Sequence, residues 1–145
     1  MENNSKTPQL PNSKTIVEKM MSNDAFSQWL GIEILESEIG RCKLEMTVRK
    51  EMLNGFHIAH GGITYSLADS ALAFASNSHG KMALSVDTSI NHFEKLVEGD
   101  IITATATEES LKNKFGVYRV EIKKGDKLVA LFKGVVYRTG KDWEA

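Results

Sequence analysis

Residues 60–78 read His-Gly-Gly-Ile-Thr-Tyr-Ser-Leu-Ala-Asp-Ser-Ala-Leu-Ala-Phe-Ala-Ser-Asn-Ser, and this stretch decides the fold. From Ile63 onward it is rich in alanine and free of Gly and Pro, which predicts a helix over 63–78 with Gly80 closing it. At about 100° per residue, Ile63, Leu67, Ala71, Phe74 and Ala75 form one apolar face. Ser66, Asp69, Ser70, Ala73, Ser76 and Asn77 lie opposite. A helix face turned to water usually carries Lys, Glu and Arg. Small uncharged groups around one carboxylate instead permit a second surface to approach, so the helix is expected to be covered on both sides. Asp69 is then either an ordinary solvated side chain or a half-buried carboxylate with a special role.

Upstream, Asn54-Gly-Phe-His-Ile-Ala-His-Gly-Gly62 holds three glycines in nine residues and predicts a loop over 54–62. Gly61 and Gly62 stand where first-turn N–H groups lack partners and the helix dipole presents positive charge. Their amides can approach a ligand oxygen closely, although the same pair also reads as a merely flexible start. His57 and His60 are three apart, but no further ligand follows at a recognisable spacing, so no metal is expected. His60 reads better as a residue whose ring nitrogen makes a structural hydrogen bond at the helix start. His79 and His92 read as surface or strand-end residues, and Cys42 as a small hydrophobe.

Further out, Ile16, Met20, Phe26 and Leu30 recur at near-helical spacing and predict one helix over 15–30, stopped by Gly31. Strict alternation from Arg41 to Val48 predicts a half-buried strand with Cys42, Leu44, Met46 and Val48 inward. Strands are expected at 83–92, 100–109, 115–124 and 127–138, with turns at Glu98-Gly99-Asp100 and Lys124-Gly125-Asp126. Helix, one or two strands, a central helix and four successive strands make an α+β domain over 14–145. Residues 1–13 are polar, hold both prolines, and are expected to form a flexible tail.

The whole chain has 145 residues, enough for one domain with a sizeable core. Its charge is 18 − 19 = −1, which argues against a nucleic-acid partner. No apolar run approaches a membrane span, and the N-terminus lacks a secretory layout, so a cytoplasmic protein is expected. A single cysteine permits no internal disulfide. The phosphate-loop, dinucleotide and Gly-x-Ser-x-Gly patterns are absent. One asymmetry stands out. Residues 111–138 carry eight basic groups against Glu121 and Asp126, a local +6, leaving −7 elsewhere. This is either an exposed sheet face or a landing site for a polyphosphate such as the nucleotide end of coenzyme A.

Met52-Leu53-Asn54-Gly55, His60-Gly61-Gly62, Ser66-Leu67-Ala68-Asp69-Ser70-Ala71 and Asn77-Ser78 before Gly80 together resemble the hot-dog-fold acyl-coenzyme A thioesterases, closest to the phenylacetic acid degradation branch. Gly99-Asp100, Gly116-Val117-Tyr118 and Val129-Ala130-Leu131-Phe132-Lys133-Gly134 are similar to that branch too, so the likeness runs from about 20 to 138. The resemblance implies a long central helix wrapped by a strongly curved antiparallel sheet, in dimers and usually dimer-of-dimers tetramers. It implies metal-free hydrolysis of an acyl-CoA, with coenzyme A as part of the substrate and no other cofactor. The acyl group it suggests is (hydroxy)phenylacetyl or a similar aryl or medium chain. On this likeness Asp69 is the catalytic carboxylate, the Gly61 amide polarises the thioester carbonyl, and Asn54 holds the water or reacting group. His60 joins that catalytic set, with Gly62, Ser70 and Phe56 as candidate substrate-binding residues. The segment Phe56 to Ala59 is less characteristic, so the acyl pocket transfers least.

Other functions of this fold compete. A hydratase would show an Asp-x4-His element, but Phe74 stands at that offset from Asp69. A non-catalytic acyl-CoA sensor would carry a DNA-binding module, for which the tail is too short. A purely structural oligomer is the remaining alternative. Spacing adds one constraint. Asp69 and Gly61 are eight positions apart, about 12 Å along a shared helix, too far to act on one carbonyl. Either the two serve different purposes or they belong to different sites; a twofold axis setting two such helices antiparallel would bring one subunit's Gly61 beside the other's Asp69, which predicts an obligate dimer.

Overall fold

The alternation at 41–48 becomes a strand whose inward side chains Cys42, Leu44, Met46 and Val48 are all buried. In the computed structural model, which describes residues 12–143, the order is α1 (Ser13–Asn23), α2 (Ala25–Leu30), β1 (Glu33–Glu38) and β2 (Arg41–Thr47), then a short 3-10 turn. There follow α3 (Gly61–Asn77), β3 (Lys81–His92), β4 (Ile101–Leu111), β5 (Phe115–Lys124) and β6 (Lys127–Asp142). The strands form one antiparallel sheet in the order β1-β2-β4-β5-β6-β3. Residues 1–11 of the expected tail lie outside the described residues, while Asn12 and Ser13 cap and open α1.

Register explains how the sheet accepts the helix. Cys42, Ala106, Val120 and Phe132 form one row across four strands, and Leu44, Ala104, Ile122 and Ala130 another. All eight are buried, and the small residues Cys42, Ala104, Ala106 and Ala130 leave a trough for Leu67, Leu72 and Phe74 of α3. Burying each such side chain contributes about 1.5–3 kcal/mol. Gly134 lets the helix sit low, because a Cβ there would lie 2.5 Å from Leu72 Cδ2. Bulges in β1, β3 and β4 add the bending that wraps the sheet around α3. This is the hot-dog architecture.

The expected helix over 15–30 is two helices. Asp24 ends α1 and caps α2, its carboxylate accepting from Ser27 N (2.9 Å) and Ser27 Oγ (2.6 Å). The break resets the helical phase, so Phe26 is 54% exposed and stacks on Trp29 instead of entering the core. Gly31 closes α2 at φ 74°, as expected.

The far end of α3 is fully engaged. Asn77 Oδ1 accepts from Ala83 N and Trp143 Nε1, both at 2.9 Å, while its Nδ2 donates to Ala73 O and Ala83 O. Ser78 Oγ donates to Ala75 O and accepts from Gly40 N. His79, read from sequence as a surface or strand-end residue, is half-buried between α3 and β3, with Nε2 2.6 Å from Glu108 Oε1. The same oxygen accepts from the buried Tyr118 hydroxyl at 2.6 Å. Burial opposes ionisation of Glu108, yet these bonds and the His79 and Arg138 charges hold its carboxyl below the usual range.

Candidate active site

Two clefts flank α3, and the sequence-predicted residues divide between them. The first lies at the helix entrance. It encloses about 340 Å³ and is lined by Asn54, Ile58, Gly61, Thr64 and His92 among others. The loop over 54–60 is rigidly built: Asn54 Oδ1 accepts from Phe56 N (2.9 Å), Asn54 N donates to Ile58 O, and His60 N donates to Met52 O. Gly61 and Gly62, expected in the loop, are the first residues of α3, because His60 caps it. His60 Nδ1 accepts from Gly62 N at 2.8 Å, the structural bond expected of it. That capping bond takes the Gly62 amide. Gly61 N–H, by contrast, has no partner among the described residues.

Sequence reasoning missed His92. It does sit at a strand end, but its ring lies against Gly61, where a Cβ would be 3.3 Å from Cε1. Thr64 Oγ1 donates its one proton to Gly61 O at 3.0 Å, so it can only accept from His92 Nε2 at 2.6 Å. A strand end thereby fixes the first turn of α3. Nothing local in the sequence links residues 28 positions apart.

Asp69 lies in the second cleft, of about 500 Å³, with Met20, Ala73, Leu84, Ser85 and Trp143 among its lining residues. Its carboxylate accepts no hydrogen bond from the described residues, and burial, assisted by the Asp24 charge, raises its pKa above the usual carboxylate range. Half-burial settles the two sequence readings of Asp69 against simple solvation. Ser70 points elsewhere: it is buried, its hydroxyl 2.8 Å from Ser27 Oγ, so α2 covers part of the small polar face from within the same chain. Phe56 is 85% exposed and lines neither cleft. Asp69 and Gly61 share α3, and eight residues at a 1.5 Å rise separate them by about 12 Å. Among the described residues no three His, Cys, Asp or Glu side chains are grouped as a metal would require. Burial pushes the Cys42 thiol up to about 12 and leaves it inert.

Residues 56–131 match the thioesterase superfamily. The chain belongs to that family. A protein of Archaeoglobus fulgidus that carries an esterase name is 46% identical over 125 residues, 86% of this chain and 81% of its own length. The acyl-coenzyme A thioesterase PaaI of Escherichia coli is 41% identical over 122 residues, 83% of this chain and 87% of its own. A solved structure of the E. coli PaaI protein from the phenylacetic acid degradation operon superposes with a TM-score of 0.87 at 38% identity, covering 90% of this chain and 95% of that one.

As a thioesterase-superfamily domain, the chain presents two complementary chemistries on one helix. The entrance offers a free backbone donor suited to a developing oxyanion. The middle offers an unbonded carboxylate with a raised pKa, suited to taking a proton. Each lies in its own cleft, and each lacks the other within reach.

Proposed function

We propose that this thioesterase hydrolyses acyl-coenzyme A at composite sites between two copies, each site joining Asp69 of one chain to the Gly61 amide of the other. The observation that carries this reading is the 12 Å separation, about eight residues of helical rise, between two unsatisfied groups on α3. The open edge of the sheet supports it. β3 is a twelve-residue edge strand paired only with β6, and it exposes Leu84 (66%) and Val86 (59%). The opposite edge, β1, has six residues and carries Glu33, Glu36 and Glu38. A long apolar edge invites a second copy, while a short charged one repels strand addition. Pairing of β3 edges about a twofold axis, followed by association of two dimers into a tetramer, is the assembly we favour.

In the reaction, the thioester carbonyl oxygen receives the Gly61 N–H, and Asn54 helps hold the attacking water. The Asp69 carboxylate takes the water's proton as the C–O bond forms. Collapse of the tetrahedral intermediate breaks the C–S bond and releases coenzyme A thiolate, which recovers a proton, and the free acid. The amide donor contributes about 10²–10³ in rate and the general base about 10²–10⁴. No cofactor is needed beyond the coenzyme A of the substrate. The acyl group we favour is phenylacetyl, hydroxyphenylacetyl or a similar aryl or medium chain, and what supports an aryl group is that the E. coli relative comes from a phenylacetic acid degradation operon.

The test is complementation, read as thiol release from phenylacetyl-coenzyme A. Asp69→Asn removes the base. Gly61→Pro removes the amide at a first helical position that tolerates proline, after a residue (His60, ψ 138°) already extended as proline requires. Each variant alone should lose at least about 10² in kcat. Mixed and allowed to exchange subunits, they should regain up to about a quarter of wild-type turnover, because half the dimers are hybrid and each has one intact site. Dimers that exchange yet regain nothing would rule out sites shared between chains.

A further inference from the structure

We infer that Asp24, at the break between α1 and α2, is a positioning residue for Asp69. Through Ser27 and Ser70 it holds the turn of α3 that carries the base, and it sets a negative charge beside that base; this rests on the catalytic reading of Asp69 above. The bonding along α3 singles the connection out. Thr64, Ser66, Ser76 and Ser78 each turn the hydroxyl proton back to a carbonyl of their own helix, three or four residues earlier. Ser70 departs from this pattern, and its oxygen lies 2.8 Å from Ser27 Oγ, 43 positions away.

Proton counting fixes the direction of the run. Ser27 Oγ lies 2.6 Å from Asp24 Oδ2, and a carboxylate only accepts, so Ser27 directs its one proton there. The Ser70 hydroxyl therefore donates to Ser27. Both hydroxyls are buried and aligned toward Asp24, which leaves the run a single arrangement. Capping of α2 accounts for the Asp24 bond to Ser27 N, but not for the reach from Ser27 to α3. That reach anchors the residue next to Asp69 onto a different element.

The two carboxylates stand in unlike settings. Asp24 accepts two hydrogen bonds, whereas Asp69 accepts none among the described residues. Other charges around Asp69 are few. α3 carries no second one, α1 and β3 line the cleft with Met20, Met82, Leu84 and Ser85, and β6 adds Lys141 to its wall. Burial and, after it, the Asp24 charge raise the Asp69 pKa, and Lys141 does not offset them. Carboxylates set apart in this way divide their roles: the unbonded one takes the proton, and the bonded one orients and biases it.

Two measurements test this, one with turnover and one without. Asn equals Asp as a helix N-cap, so Asp24→Asn keeps α2 and an acceptor for Ser27 while removing the charge. In the pH profile of kcat/KM for phenylacetyl-coenzyme A, the acid limb of this variant should lie at lower pH than that of the wild type. A base relieved of a neighbouring negative charge releases its proton more readily. One pH unit below the wild-type midpoint, the variant should keep about two- to threefold more of its own maximum. Ser70→Ala leaves the charge in place, so its limb should stay while kcat falls about fivefold with KM little changed. Carboxyl-carbon NMR titration of aspartate-labelled protein, with the Asp69 signal identified by its loss in Asp69→Asn, reads the same coupling without turnover. The Asp69 midpoint should fall in Asp24→Asn. An unmoved midpoint, or wild-type kcat in Ser70→Ala, overturns the inference and leaves Asp24 as the cap of α2 alone. A midpoint that falls in a protein that hydrolyses no thioester overturns the catalytic reading and keeps the coupling of the two carboxylates.

Discussion

The two ends of α3 are built to opposite rules. At the exit, Asn77, Ser78, His79 and Tyr118 each find partners, and three separate elements are tied to the helix. At the entrance, a cap, a threonine and a histidine hold the backbone firmly, yet the Gly61 amide stays open. Two turns on, the Asp69 carboxylate is open as well. Rigid surroundings around an unsatisfied group are what preorganised catalysis requires. The exit, where Asn77, Ser78, His79 and Tyr118 are satisfied, fixes the helix that carries them.

This contrast breaks if exit variants change rate or entrance variants change stability. The largest stability effect is expected at Glu108. Glu108→Gln replaces a charged acceptor shared by Tyr118 and His79 and should cost about 1–2 kcal/mol in urea unfolding, with kcat within about twofold of the wild type. Because the folded Glu108 carboxyl is held below its usual range, its stabilisation is complete above the unfolded value and lost as pH falls through the folded one. The difference between the two proteins should therefore be greatest near neutrality and vanish in acid.

A smaller effect is expected at His92. His92→Gln keeps a donor for Thr64 but loses the ring that bears on Gly61, so kcat should fall by about tenfold with KM little changed. An equal rise in KM would make His92 a substrate contact and not a positioning residue. The smallest effect carries an unusual sign. Asp69 has its pKa raised by burial, so its ionised form opposes folding, and the penalty appears as pH rises through the folded value. Asp69→Asn should melt slightly higher than the wild type at neutral pH and lose that advantage as acid protonates the wild-type carboxyl. A variant that melts lower at neutral pH would mean that the carboxylate has a stabilising role.

How much of this was legible depended on whether the signal was local. The central helix, the β2 alternation and the long strands at 115–124 and 127–138 announce themselves through composition, period-two patterning and Gly-Asp turns. So did the His60 bond at the helix start, whereas Asp69 was left open between solvation and half-burial, because the elements that cover it are remote in sequence. The α1–α2 break escaped because apolar spacing outweighed Asn23-Asp24, a pair that already spells a cap. β1 was uncertain because three glutamates mask its pattern. His92 and Ser27 could not have been found at all, since their contacts with α3 are made by tertiary folding across 28 and 43 positions. Part of the covering expected on the small polar face comes from α2 of the same chain, over Ser70.

The inequality of the sheet's rims has a consequence for growth. Among the described residues β3 is the longer and more receptive rim, and in the proposed dimer a twofold mate would consume it in both chains at once. The glutamates of β1 would then stand at both extremities of the joined sheet and oppose strand-by-strand extension into a fibril.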